Sequence, residues 1–253
     1  MSKKEMIKGD FDSEKAAALL APLNDLLKVK TNEIVLKIKE DKTTSVRAVN
    51  AAAGSNVVTF LDYEDTLFDG FEVPKDYSFG IFDLSEFTGL ASIFDSGFNF
   101  QFDGQEASFE SDGNKFTFFA AQDGVVKEGP EKFKANVEWG AEFEWDPSKF
   151  TTLRKAFGAV KHPHVVFTGK KGSKELKVSI TEKNMRCSTF SEVIDLDTEI
   201  EVDIDVTLNK ENVVPVLNSS ISKLTVQISN RVVTFSGVSE FYKIKYYLLA
   251  AKV

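Results

Sequence analysis

Few residues in this sequence of 253 amino acids are placed to do chemistry. His162 and His164 flank a proline, and imidazoles at this spacing can bind a metal ion, but no cysteine or carboxylate flanks them closely. We interpret them as part of a turn. The single cysteine, Cys187, excludes an intrachain disulfide, fits a reducing compartment and is interpreted as structural.

Two further patterns resemble ligand sites without having the necessary geometry. Acidic and apolar residues alternate from 195 to 205. On a strand these carboxylates would lie along one face at intervals of about 6.6 Å, whereas calcium needs ligands that converge on one point. Residues 169–174 lack the spacing of a phosphate-binding loop and predict a basic hairpin turn. The sequence therefore favours a protein that is not an enzyme and has no cofactor or metal.

Composition predicts a strand-rich protein, and the helices predicted below make the expected fold class α+β. There are 23 phenylalanines, a residue favoured in strands, and the mean hydropathy is −0.16. The N-terminus lacks the apolar core of a signal peptide, and no apolar stretch approaches the length of a membrane span. We expect a cytoplasmic protein, in the host cell if it is viral, with no membrane partner.

Charge is unevenly distributed along a chain whose net charge is −8. Lysine and arginine are concentrated in residues 149–186, whereas aspartate and glutamate dominate residues 192–211. The net charge by itself disfavours a protein that holds nucleic acid over its whole surface. A local basic surface remains compatible with the sequence.

Apolar periodicity predicts four helices and many strands. The first helix begins near Ser13 as N-cap, and the third has Asp146 as N-cap and Pro147 as its first residue. The clearest strand is a single run over residues 193–208. The four predicted helices cover residues 13–28, 83–94, 147–158 and 209–217.

The helices are spaced as in an internal duplication. The first and third begin about half a chain apart, as do the second and fourth, so each half contains a helix, several strands, a helix and several strands. Residues 122–135 contain Gly124, Gly129 and Pro130 with mixed charge, as linkers do. We predict an N-terminal domain over 1–121, a linker over 122–135 and a C-terminal domain over 136–253.

Three segments carry a resemblance to a known family. Arg47-Ala-Val-Asn50 and the run from Phe79-Gly-Ile-Phe-Asp-Leu to Phe94 resemble the sliding clamp of T-even-type bacteriophages. The closing segment, 241–253, is similar to the tail of the proliferating-cell nuclear antigen (PCNA) family, the trimeric clamps of archaea and eukaryotes. These motifs cover about an eighth of the chain, and the predicted duplication supports the resemblance over its whole length.

The resemblance implies a fold and a function. Such clamps are homotrimeric rings of duplicated domains, with antiparallel sheets outside and two helices per domain lining the hole. Duplex DNA passes through the hole without sequence preference, an ATP-dependent clamp loader places the ring on DNA, and the C-terminal peptide of a DNA polymerase binds the ring and gains processivity. Because holding is topological, the protein can be acidic overall and only mildly basic in the hole.

The resemblance also implies three sets of functional residues. The residues expected to face DNA are Lys149, Arg154, Lys155 and Lys161, with Lys210, Lys15 and Lys28 beside them. The expected peptide pocket consists of Val49, Asn50, Val125, Val126, Leu249, Ala250, Ala251 and Val253. The expected subunit interface joins two edge strands through Lys115, Phe116, Phe118, Leu176, Val178 and Ile180.

Two alternatives remain open from the residues alone. The first is a β-rich structural, virion or interaction protein with the same strands and no role on DNA. The second is a metal-binding β-module, which predicts that calcium raises the melting temperature. The molar mass in solution separates the first from a clamp, because a ring has about three times the mass of one chain.

Overall fold

The computed structural model describes residues 5–50, 57–94, 96–122, 124–133, 136–182, 189–221 and 223–251. Two compact units make up the chain. The first unit comprises Met1–Val49, Thr59–Glu131 and Val238–Ile244. The second unit comprises Asn50–Val58, Lys132–Gly237 and Lys245–Val253.

Ten helices and strands begin the chain and build most of the first unit. In chain order they are β1 (Ile7–Asp12), α1 (Ser13–Lys28), β2 (Ile34–Ile38), β3 (Thr44–Asn50), β4 (Val57–Tyr63), β5 (Tyr77–Ile81), α2 (Leu84–Ala91), β6 (Gly97–Phe102), β7 (Glu106–Ser111) and β8 (Asn114–Phe119). The strand orders are β1-β6-β7-β8 and β5-β2-β3-β4. In this unit β4 also lies beside residues 242–244, where the Glu64 amide donates to the Phe241 carbonyl at 2.8 Å.

The remaining elements build the second unit in the same order. They are β9 (Ala141–Trp145), α3 (Thr151–Ala159), β10 (His164–Gly169), β11 (Glu175–Thr181), β12 (Phe190–Asp195), β13 (Ile204–Asn209), α4 (Lys210–Leu217), β14 (Leu224–Ile228), β15 (Val232–Val238) and β16 (Tyr242–Leu249). The strand orders are β9-β14-β15-β16 and β13-β10-β11-β12. Each order matches its counterpart in the first unit strand for strand, which confirms the predicted duplication of architecture.

Aromatic packing stabilises the first unit. Phe109 is fully buried, and its ring lies 4.3 Å from that of Phe116 and nearly parallel to it. Phe87, Phe98 and Phe100 approach the same ring edge-on at 5.1 to 5.5 Å, a geometry that the charge distribution of aromatic rings favours. The abundance of phenylalanine noted in the sequence therefore corresponds to a shared core.

Several predicted boundaries are corrected by local hydrogen bonds. Asp12, rather than Ser13, is the N-cap of α1, because its carboxylate accepts from the Lys15 amide at 2.8 Å. The third helix was expected at Pro147 and begins at Thr151, since Asp146 caps a turn by accepting from the Ser148 amide at 2.9 Å.

The run over residues 193–208 is also not one strand. It is divided into β12 and β13 by residues 196–203, although Leu196 and Ile200 within that connection are buried. The Leu196 amide donates to the Lys174 carbonyl at 2.8 Å, and the Ile200 amide donates to the Ser173 carbonyl at 2.8 Å. Leu196 and Ile200 thus stay buried in a connection that packs against the β10–β11 turn.

Candidate functional site

Helix α3 presents a basic surface. Leu153, Ala156 and Phe157 are buried, whereas Arg154 and Lys155 are exposed. Lys149 before the helix and Lys161 after it are exposed as well. Within the described residues, no carboxylate forms an ion pair with Arg154, Lys155 or Lys161. These cations are therefore available to bind an anion from solution.

Aromatic stacking anchors this helix. The ring of Phe150, directly before α3, lies 4.8 Å from that of buried Trp145 and almost parallel to it. The ring of Phe157, about two turns further along the chain, lies 6.5 Å from the same indole. The two contacts fix which side of α3 faces the sheet, so Arg154 and Lys155 must lie on the opposite side.

Three other lysines that were expected to face DNA have partners within the chain. Lys210 Nζ donates to the Phe157 carbonyl at 3.1 Å and to the Val160 carbonyl. Lys28 Nζ lies 2.7 Å from the buried carboxylate of Asp25. Lys15 Nζ donates to the Asp69 carbonyl at 3.3 Å. Because these ammonium groups already bind protein oxygens, they have less free charge to offer than those on α3.

The helices of the first unit contribute almost no free positive charge. Helix α2 contains no lysine or arginine and exposes Glu86. The exposed side of α1 carries Glu14, Ala17 and Asn24 in addition to Lys28. Among the described helices, an exposed basic surface is therefore confined to α3 and the residues that flank it.

Six described strands lie at the end of a sheet and pair with a single other strand: β1, β5, β8, β9, β12 and β13. Strand β8 pairs with β7 alone, and β12 pairs with β11 alone. The expectation that residues 175–181 form an edge is wrong, because this strand, β11, pairs with β10 on one side and with β12 on the other. The side chains of Leu176, Val178 and Ile180 are consequently buried within their own chain.

Among these six strands, β8 and β12 carry exposed large apolar side chains, and their unpaired sides are called the two free edges below. Phe119 on β8 is 65% exposed, and Val193 on β12 is 52% exposed. Lys115 is exposed on the same strand as Phe119, while Phe116 is half-buried and Phe118 is buried. Sequence reasoning did not assign β12 to the subunit interface, although Val193 is an apolar residue at an outward position of the predicted alternating strand.

The linker is fixed to the first unit by several contacts. Gly129 donates its amide to the Arg47 carbonyl at 2.8 Å, and a Cβ on this glycine would lie 2.8 Å from the carbonyl carbon of Arg47. Lys37 Nζ lies 2.7 Å from a carboxylate oxygen of Glu128 and 2.7 Å from one of Glu131. These two hydrogen bonds raise the pKa of Lys37, and the bond from Lys37 lowers the pKa of Glu131.

The residues expected to form the peptide pocket differ in exposure and belong to both units. In the first unit Val126 is 6% exposed, Val125 is 64% exposed and Val49 is half-buried. Asn50, assigned to the second unit, is buried. Val125 is thus the linker valine that could contact a ligand without rearrangement.

The C-terminal tail of the chain is hydrogen-bonded within the second unit. Leu249 ends β16, the Ala250 amide donates to the Arg231 carbonyl at 2.9 Å, and the Ala251 amide donates to the Thr207 carbonyl at 2.8 Å. Val253 lies outside the described residues.

The second unit also contains a cavity of about 410 Å³. It is bordered by the exposed Arg231, which was not expected from the sequence to be functional. The cavity is lined by Asn136, Val137, Glu138, Val202, Ser229, Asn230 and Arg231.

The other candidate chemistries find little support in the described residues. No group of three potential metal ligands occurs among them. His162 Nδ1 lies 3.9 Å from Glu182, while Cys187 is outside the described part of the chain. Residues 169–174 connect the paired strands β10 and β11, as the predicted hairpin turn requires. No described helix combines the length and the apolar character that crossing a membrane requires.

Comparisons with known proteins identify the fold. No protein family model and no curated protein matches the chain. A PCNA of A. fulgidus bound to the C-terminal region of FEN-1 is 13% identical, with a TM-score of 0.74 and 98% of each chain covered. The PCNA of Entamoeba histolytica is 14% identical, with a TM-score of 0.74 and 98% of each chain covered. That of Thermococcus kodakaraensis is 15% identical, with a TM-score of 0.72, 97% of this chain and 100% of that chain covered.

These structural neighbours are PCNA-type sliding clamps. The match extends over both units, each with its antiparallel sheets and two described helices in the same order. The chain has the PCNA fold, in which one clamp domain is duplicated.

Proposed function

We propose that three copies of this chain form a ring that encircles duplex DNA and tethers a replicative polymerase to it. The observation that carries the proposal is the PCNA-like fold over 98% of the chain. The two domains of the ring are residues 1–121 and 136–253, joined by the linker 122–135. In this proposal the ring acts as a scaffold rather than as an enzyme. It works in the cytoplasm, where the motif resemblance suggests a T-even-type phage as source.

Assembly of the ring uses the two free edges. By position in the duplicated architecture, β12 corresponds to β4 and β8 corresponds to β16. Since the end of β4 and the start of β16 meet within the first unit, where the Glu64 amide donates to the Phe241 carbonyl, β12 of one copy and β8 of the next are expected to pair in the same way. This contact is head-to-tail, so its repetition can close a ring, and it covers two edges that would otherwise invite aggregation.

One antiparallel register satisfies both the apolar and the charged residues. If Phe119 stands opposite Val193, the two exposed apolar side chains cover each other. Continued past the end of β12, the same register brings Lys115 towards Asp197, which is exposed in the connection that follows the strand. On the inward face it places Phe118 opposite Ile194. We therefore propose this register for the subunit interface.

DNA contacts in the ring come mainly from α3. Lys149, Arg154, Lys155 and Lys161 are exposed, and they would attract phosphate without reading sequence. Lys15, Lys28 and Lys210 contribute less, because each already has an oxygen partner in the chain. A few weak contacts per chain suit a ring that must slide.

The partner surface is proposed by analogy with the A. fulgidus protein, which is bound to the C-terminal region of FEN-1. Here the corresponding partner is the C-terminal peptide of a polymerase. Val125 offers an exposed apolar side chain and Leu249 a partly exposed one, and peptide anchors could bury both. The proposed set also includes Val49, Asn50, Val126, Ala250, Ala251 and Val253. A second partner, an ATP-dependent clamp loader, opens the ring.

Threading on DNA with controlled ends tests the proposal. The protein is incubated at low salt with long linear duplex held by one end, the free end is then blocked or left open, and protein retained after a high-salt wash is measured. A ring is retained only on blocked DNA. R154E/K155E should keep its molar mass and thread poorly, because repulsion replaces attraction to phosphate. Equal retention on open and blocked DNA would indicate that the protein binds the DNA surface. If the protein is monomeric and is not retained on either DNA, a β-rich structural protein would be favoured.

A further inference from the structure

Helix α3 is short and weakly capped by its own residues. It has nine residues, no acidic side chain in its first turn and no basic side chain in its last turn. Its N-cap, Phe150, makes no side-chain hydrogen bond to the helix. A helix leaves its last carbonyl groups without partners and has a partial negative charge at that end, so α3 needs a cation from elsewhere.

Lys210 supplies this cation from the first residue of α4. Its Nζ donates to the Phe157 carbonyl at 3.1 Å and also to the Val160 carbonyl, both at the C-terminal end of α3. Its backbone amide donates to the Pro163 carbonyl at 2.7 Å. One half-buried residue thus holds the end of α3 and the connection that leads from it to β10.

The hydrogen bonds of Lys210 to the end of α3, called the brace below, act on the helix that carries the free cations. Arg154 and Lys155 belong to α3, Lys149 precedes it and Lys161 follows the braced end. These like charges repel one another, and no carboxylate among the described residues pairs with Arg154, Lys155 or Lys161. The orientation of the basic surface therefore depends on contacts made from outside the helix.

We propose that Lys210 is a positioning residue: it orders the C-terminal end of α3 and thereby presents Arg154 and Lys155 to DNA. The part that concerns DNA rests on the proposed clamp function, whereas the ordering of α3 does not. In this proposal the main effect of Lys210 on DNA binding passes through α3, because its ammonium group is bound to carbonyl groups of the chain. Arginine at this position would keep the positive charge and hydrogen-bond donors.

Hydrogen exchange without DNA tests the brace. In K210M the amides of residues 151–162 should exchange about tenfold to one hundredfold faster, since hydrogen bonds from a charged donor are lost. K210R should restore part of the protection. K223M is the matched control, because Lys223 lies in the same unit and pairs with Glu144 at 3.3 Å, away from α3. Unchanged exchange in both K210M and K210Q would overturn the proposal.

A double-mutant cycle then tests the effect on DNA. Binding to a short fluorescent duplex at low salt is measured for the wild type, K210M, R154Q/K155Q and the triple variant. We expect K210M to weaken binding severalfold alone and to add nothing when Arg154 and Lys155 are neutral. An equal loss in both backgrounds would make Lys210 a direct phosphate contact and overturn the inference. If R154Q/K155Q binds normally, the proposed DNA surface fails, while the exchange result still decides the brace.

Discussion

Replacing Phe119 by aspartate should separate the ring into monomers. Phe119 is 65% exposed in the isolated chain, and an aromatic side chain buries about 150–250 Å² when fully covered. The proposed interface would cover the exposed part, about 130 Å², which at ~25 cal/mol per Å² contributes ~3 kcal/mol per interface. The loss corresponds to about a hundredfold weaker association at each of the three interfaces.

Light scattering coupled to size exclusion measures this loss directly. At concentrations where the wild type is a trimer, F119D should have the 28.1 kDa mass of one chain with an unchanged circular dichroism spectrum. V238D is the matched control: Val238 is 67% exposed but belongs to β15, which is not a free edge. V238D should therefore remain trimeric.

A charge pair tests the register within the same assay. In F119D/V193K the new carboxylate and ammonium groups would stand opposite each other, so the trimer should return in part and weaken as salt rises. F119D/S191K should not recover, since Ser191 is displaced from that position by two residues. The reasoning would be refuted if F119D kept the wild-type mass or if V238D dissociated to the same extent. If F119D/S191K recovered the trimer and F119D/V193K did not, the proposed register would be wrong.

The remaining predictions concern the core, the linker and the partner surface. F109A should lower the free energy of unfolding by about 3–5 kcal/mol in denaturant titrations, because it removes a fully buried ring; a loss below ~1 kcal/mol would contradict the packing. Lys37 holds the pKa of Glu131 below its ordinary value, so the stability difference between the wild type and K37M should be present near neutral pH and disappear as pH falls through that lowered pKa; a difference that persisted in acid would contradict this pairing. V125D combined with deletion of 251–253 should weaken binding of the cognate polymerase peptide ten- to a hundredfold by calorimetry while the ring still forms, because Val125 is the exposed valine of the linker; unchanged affinity would place the partner surface elsewhere.

Local patterns predicted the elements better than their boundaries. The four helices and the duplication followed from apolar spacing, which depends on short stretches of chain. The start of the third helix could not be predicted from this spacing, because Asp146 and Pro147 suit both a helix N-terminus and the turn that forms here. The interruption of the strand over 193–208 was hidden for a similar reason, since Leu196 and Ile200 stay buried without strand pairing.

Pairing between distant segments was beyond the reach of sequence reasoning. Strands β11 and β12 both alternate in burial, and only the pairing of β11 on two sides distinguishes an interior strand from an edge. Lys210 resembles any solvated lysine in sequence, yet its ammonium group lies at carbonyl oxygens about fifty residues earlier in the chain. Such long-range partners depend on the whole topology rather than on local composition.

The stacked indole of Trp145 makes the second unit optically distinct. Both tryptophans, Trp139 and Trp145, belong to that unit, and the first unit has none. Excitation of indole therefore reports on the second unit alone, and loss of the stacking against Phe150 would shift the emission of Trp145 to longer wavelength as water enters. A fluorescence melt compared with a circular dichroism melt would then reveal whether the two units unfold together or in sequence.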